Sequence, residues 1–261
     1  MLLNLTLDKL KKGECTYGYG VRFFWGADQA RFAKNAGFDY LFIDAEHSPY
    51  SLEAGTALCR AALEVGVTPI VCVCGFDHHL PTRYLDNGAQ GIIFPHVETL
   101  EQIQLIEREL FFPPRGWRSL PGPMAINQFL PLPHEDLVSE GNKSTMAIGM
   151  IESPAAVERL DELLSPGVLD AVMIGANDLS TTMGIPAQWE NSKFQEALDS
   201  VIASCKKADV ASGIGGVFVT ELLNKWIKQG MTFMYVLSDA FSLIQYPKAR
   251  LAEIQEVVEG A

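Results

Sequence analysis

Cysteine is scarce and odd in number: Cys15, Cys59, Cys72, Cys74 and Cys205 are the five in a chain of 261 residues. That argues against a disulfide framework and for reduced thiols in a cytoplasmic protein. Cys72 and Cys74 share one side of any strand, but no second pair stands at zinc-ribbon spacing. Long apolar runs are also missing. None approaches membrane-spanning length, and Lys9, Lys11 and Lys12 follow the start too soon for a signal peptide. Positive charge is in short supply, and a net charge of −12 argues against nucleic acid as a partner. No Gly-x-Gly-x-x-Gly turn follows the first strand, which weakens a dinucleotide-binding fold.

What is present is ample core material, 48% hydrophobic, in a length that suits one α/β barrel. Short apolar runs predict strands at 17–22, 40–44, 69–73, 91–94, 147–151, 171–174, 210–214 and 233–237. Their continuous apolarity is what strands buried on both faces require. Helical spacing fills the intervals, as in Leu100, Ile103, Ile106 and Leu110, or Val157, Leu160 and Leu164. Ser153 reads as an N-cap and Pro154 as the first helical residue. Eight alternating units predict a single-domain (β/α)8 barrel over residues 1–261. One connection, about 110–145, is unusually long and rich in Pro and Gly; loops of that length serve as lids or oligomer contacts.

Glu152 and Asp178 each follow a strand and lie 26 residues apart, one strand–helix–strand unit. Both carboxylates then emerge at the same end of the sheet, an oxygen-rich setting for a hard divalent cation. The plainer alternative is a pair of helix N-caps. Asp44 and His47 close the second strand, where an Asp three residues before a His can orient the imidazole as a general base. Its alternative is a surface turn with Asp44 capping the helix near Ser51.

These residues carry a resemblance that runs from Gly37 to the eighth strand. The string from Phe38 to His47, then Leu85-Asp86-Asn87-Gly88-Ala89-Gln90-Gly91, Phe112-Pro113-Pro114-Arg115-Gly116-Trp117-Arg118, Ile151-Glu152 and Ile174-Gly175-Ala176-Asn177-Asp178-Leu179-Ser180 follow in order. The chain resembles the HpcH/HpaI aldolase/citrate lyase family, class II pyruvate aldolases on a TIM barrel of the phosphoenolpyruvate/pyruvate type. The resemblance implies a carbon–carbon lyase that cleaves 4-hydroxy-2-oxo acids to pyruvate or a related 2-oxo acid plus an aldehyde through a metal-bound enolate. Oxaloacetate decarboxylation uses the same enolate. It implies Glu152 and Asp178 as ligands of Mg2+, Mn2+ or Co2+, and Asp44 with His47 as the proton-moving dyad. The amides of Asn177 and Asp178, after Gly175, match those that hold the substrate carboxylate. A homo-oligomer is implied too, a hexamer or trimer of dimers, with the tail 248–258 packed on a neighbour.

Two positions depart from the family pattern. Cys72 stands where members usually place an arginine that shares the enolate charge, and Met150 stands where many have glutamine. A neutral thiol cannot make charge-assisted bonds, and losing one oxyanion donor typically costs about 10²–10³ in rate. Three accounts follow. Another cation substitutes, either Arg22 at the end of strand 1 or Arg118 on the long connection. Alternatively the pocket is retuned for a less charged or bulkier substrate, or the barrel binds ligand with activity lost. Acyl-CoA lyase chemistry lacks an evident basic patch. Asp77-His78-His79 reads as surface polarity at a helix start, His96 as pocket mouth or subunit contact, and His134 as an exposed loop residue. Trp25, Trp117, Trp189 and Trp226 show no stacking-platform spacing.

Overall fold

The computed structural model describes residues 3–24, 26–76 and 79–259, with side chains through 255. Eight parallel strands close on themselves in sequence order: β1 (Thr16–Val21), β2 (Tyr40–Asp44), β3 (Thr68–Cys72), β4 (Gly91–Phe94), β5 (Met146–Ile151), β6 (Ala171–Gly175), β7 (Ala211–Gly215) and β8 (Phe233–Ser238). Each predicted strand is found within one residue or so of its expected place. The family's (β/α)8 barrel is therefore the architecture of this chain.

Two apolar layers hold it. The outer faces of the strands pack against the surrounding helices, with Leu41, Ile43, Val71, Ile92, Ile151 and Ile174 fully buried. The inner faces fill the barrel with Tyr40, Phe42, Ile70, Ile93, Ile148 and Met173 among others. β1 supplies little to that interior and has to be thin. Tyr40 and Tyr235 occupy the space where side chains at Gly18 and Gly20 would stand. Tyr40 stacks on Phe233 and Phe42 on Tyr235, both at 4.7 Å between ring centres. Burying such rings is worth about 1.5–3 kcal/mol each.

The bottom of the barrel is closed by a helix, Leu5–Lys11, which the sequence reading missed. Leu7 and Leu10 point into the interior cluster, and Asn4 both caps the helix and donates to the carbonyls of Gln90 and Ser144. The long connection is not all loop. Its last third is a helix, His134–Ser144, preceded by a 3-10 turn at Ala125–Asn127. His134 opens that helix and is exposed. Phe112, Met124, Ile126 and Leu137 form a small core of their own beneath it. Arg118 is buried there, 2.7 Å from Asp86 and over the ring of Phe112. It is a structural ion pair away from the pocket, so it is not the substituting cation.

The C-terminal helix runs Asp239–Glu259, starting well before residue 248 and continuing through Pro247. Leu243, Ile244, Tyr246, Leu251 and Ile254 are exposed along it. The side chains of Val257 and Val258 lie outside the described residues, as do Trp25, Asp77 and His78. Among the described residues no helix is long and apolar enough to cross a membrane.

Candidate active site

The inward-facing positions at the carboxyl ends of the strands open into a pocket of about 260 Å³. Arg22, Asp44, His47, Cys72, Met150, Glu152, Gly175, Asn177 and Asp178, all expected from sequence, line it, and Arg118 does not. The register explains this convergence. Asp44 is paired with Cys72 across β2–β3 and Met150 with Met173 across β5–β6, so alternation along each strand delivers these side chains to one face.

Glu152, just past β5, is 5% exposed. One carboxylate oxygen accepts the backbone amide of His96 at 2.9 Å. The other lies against Gly175, where a Cβ would stand 2.7 Å from it. Gly175 is thus a close-approach glycine, and the carboxylate rests in the space that its missing side chain leaves. Burial raises the pKa of Glu152, the His96 amide opposes that rise, and the nearby carboxylates of Asp178 and Glu46 add to it. Thr182 Oγ ties the two ends together, 3.1 Å from the carbonyl of Glu152 and 2.9 Å from that of Asp178. Asp178 itself stands exposed in the first turn of the helix Ala176–Thr182, which Gly175 caps without a side chain.

This donor set suits a hard divalent cation. Mg2+ in particular is held by one or two carboxylates and keeps several other sites for water and substrate. Among the described residues no three His, Cys, Asp or Glu side chains form a complete protein cage.

Across the pocket, Asp44 does two things. One oxygen accepts the amides of Glu46 and His47 at 3.1 and 2.8 Å, and the other is 3.1 Å from Arg22 Nε. The expected Asp–imidazole pairing takes a different form, because residues 44–47 make a turn that draws the carboxylate onto the backbone. Among the described residues the acid paired with the imidazole is Glu46, 3.7 Å from His47 Nε2. Glu46 also accepts the Cys72 thiol at 3.5 Å. Burial, reinforced by Glu46 and Asp44, pushes the Cys72 pKa well up, so the group is a thiol. The alternative cap near Ser51 is filled by Ser51 itself, which accepts the amide of Ala54.

Arg22 is held by a device with no sequence signal. Buried Asp239 accepts the backbone amides of Arg22, Phe23 and Phe24 at 2.9, 2.7 and 3.1 Å. Arg22 Nε is buried beside Asp44 but off the hydrogen-bonding direction. Glu46, Phe42, Tyr235 and Phe218 also line the pocket and were not singled out beforehand. Glu46 and Phe42 belong to the string from Phe38 to His47, Tyr235 lies in the eighth predicted strand, and no sequence motif marks Phe218. His96 is exposed, with its ring Nδ1 3.6 Å from a Glu152 oxygen. Its left-handed backbone (φ 53°) turns its amide onto Glu152.

Comparison with known proteins identifies the family. The family model of the HpcH/HpaI aldolase/citrate lyase family matches residues 23–245. The 4-hydroxy-4-methyl-2-oxoglutarate aldolase of Hapsidospora irregularis is 32% identical, over 90% of this chain and 87% of its own. The 2-keto-3-deoxy-L-rhamnonate aldolase of Escherichia coli K12 is 27% identical over 100% and 96%. The crystal structure of an HpcH/HpaI aldolase from Desulfitobacterium hafniense superposes with a TM-score of 0.91, at 28% identity over 95% and 96%. This chain belongs to the HpcH/HpaI aldolase/citrate lyase family.

Proposed function

We propose that this family member is a divalent-metal-dependent carbon–carbon lyase that cleaves 4-hydroxy-2-oxo acids to pyruvate, or a related 2-oxo acid, and an aldehyde or ketone. The observation that carries the reading is the meeting of Glu152, Asp178, Asp44, His47 and Arg22 in one pocket at the carboxyl end of the barrel. Three of its relatives, 27% to 32% identical over most of the chain, bear aldolase names.

In this reading Glu152 and Asp178 hold Mg2+, Mn2+ or Co2+. When bound, the cation acts as a Lewis acid toward the negative charge that develops on the 2-oxo group. The chain's own residues supply the rest. The amides of Asn177 and Asp178 hold the substrate carboxylate. His47 takes the proton of the C4 hydroxyl as the C3–C4 bond breaks, and a proton returns to C3 of the departing enolate. Asp44 fixes the turn that carries His47 and anchors Arg22. Arg22 supplies the positive charge that Cys72 cannot, and Met150 closes the floor. Decarboxylation of oxaloacetate would run through the same enolate.

The test is pyruvate release from a 4-hydroxy-2-oxo acid with Mg2+ or Mn2+ against a chelated control. Metal-dependent release that disappears in Glu152→Ala supports the reading. A protein that binds neither metal, and whose turnover is indifferent to Glu152→Ala, does not fit it. The pairing of Cys72 with Glu46 favours a second reading, a barrel whose aldolase activity has been retuned or lost. Cys72→Arg separates the two: loss of native activity marks a retuned enzyme, a large gain a decayed one. We also propose a homo-oligomer assembled through the C-terminal helix, on the strength of its exposed apolar residues, and a cytoplasmic setting that suits a sparse, odd number of cysteines.

A further inference from the structure

The pocket has two unlike halves. The β5–β6 side is polar, with Glu152, Asn177 and Asp178, and takes the 2-oxo acid end in the reading above. The opposite wall is aromatic. Phe42 and Tyr235 lie nearly parallel, 7° apart and 4.7 Å between centres. Phe218 meets Tyr235 edge-on at 5.5 Å and is backed in turn by Phe241 at 5.0 Å. This wall is built with some care. Tyr235 crosses the space over Gly20, and a Cβ at Gly215 would stand 3.0 Å from its ring and 3.3 Å from Met173 sulfur.

The charges point the same way. Among the described lining residues four carboxylates, Asp44, Glu46, Glu152 and Asp178, face one guanidinium, Arg22. Arg22 already stands beside Asp44, and the family's strand-3 cation is a thiol here. Even with a divalent cation in place the lining stays negative. A second substrate carboxylate would enter a field of like sign in a partly desolvated space.

We infer that the carbonyl fragment released or accepted by this enzyme is uncharged and apolar, aromatic or branched, and is seated on Phe42, Tyr235 and Phe218. The inference rests on the aldolase reading and narrows it. It also separates this chain from relatives named for 4-hydroxy-4-methyl-2-oxoglutarate, a dicarboxylate. For a 4-phenyl substrate the C4 hydroxyl gives up its proton and the C3–C4 bond breaks. Benzaldehyde leaves, and C3 gains a proton to give pyruvate.

The experiment compares kcat/KM for 4-hydroxy-2-oxo-4-phenylbutanoate and 4-hydroxy-4-methyl-2-oxoglutarate with Mg2+. It is run in the wild type, in Phe218→Arg and, as a milder change, in Phe218→Ser. The wild type is expected to favour the phenyl substrate by about tenfold or more, the scale on which a pocket separates apolar groups. Either variant that folds should cut that ratio by a similar factor, Phe218→Arg chiefly by improving the dicarboxylate. A wild type that prefers the dicarboxylate, or a ratio that stays put in the folded variants, overturns the inference. Exchange of pyruvate methyl protons with D2O, followed in parallel, needs no carbonyl acceptor. If it is absent, the aldolase reading fails and this inference with it. If it is present alongside a dicarboxylate preference, only the inference fails.

Discussion

Glu152 rests its carboxylate where a side chain at Gly175 would be, and that contact makes a sharp test at the level of single residues. Gly175→Ala should push the carboxylate aside and weaken Mn2+ binding by about 10–100-fold, as loss of a supporting partner does. A titration followed by the paramagnetic resonance of free Mn2+ reads this directly, and an unchanged affinity would show the contact to be idle. Cys72 gives a second test. The thiolate is the reactive form, and burial beside Glu46 and Asp44 raises the pKa, so less thiolate exists at every pH. Raising the pH through about 8.5, the range of an unperturbed thiol, should speed alkylation of Cys72 in the urea-unfolded protein while native Cys72 stays unlabelled. Peptide mass spectrometry that finds Cys72 labelled at one rate in both states would contradict this. The positions of Glu152, Asp178 and Asp44 were legible because each sits at or just past the end of an apolar run, and that of Cys72 because the family resemblance marks it. The partners of Asp44 were not, since one turn of backbone decides whether its oxygens meet an imidazole or two amides.

At the level of elements, strands were the easy part. Runs buried on both faces have no rival interpretation at that length, and the wrapped helices carry ordinary caps such as Ser51, Thr99 and Ser153. What escaped was held together by distant pairs. The helix Leu5–Lys11 is too short to announce itself and depends on a barrel bottom that exists only after folding. The helix His134–Ser144 hides behind prolines and is tied down by Asn142, which bonds both the amide and the carbonyl of Phe112. The loop after β1 is the clearest case, because Asp239 lies some 215 residues further along and gathers three of its amides. Removing that acceptor leaves three part-buried donors without it, so Asp239→Ala should cost about 3 kcal/mol in urea unfolding. Asp239→Asn, which keeps one acceptor oxygen, should cost less. Equal stability of all three proteins would mean that solvent satisfies those amides.

For the whole molecule, the barrel puts the candidate site at one end and closure at the other, and the C-terminal helix leaves apolar side chains in solvent. Five such residues on one helix are more than a monomer usually displays without use. Light scattering at micromolar concentration should therefore give a mass well above 28.7 kDa, and Leu251→Glu with Ile254→Glu should lower it. A wild type that elutes as a monomer would remove that part of the account. The central claim is that Glu152 and Asp178 clasp a cation that lets pyruvate enolise. It is tested most directly by incubating the protein with pyruvate in D2O and following the methyl resonance by proton NMR. The account predicts loss of the signal with Mg2+ or Mn2+, and no loss with a chelator or in Glu152→Ala. A methyl signal that persists with metal present, or that vanishes equally fast in Glu152→Ala, would contradict it.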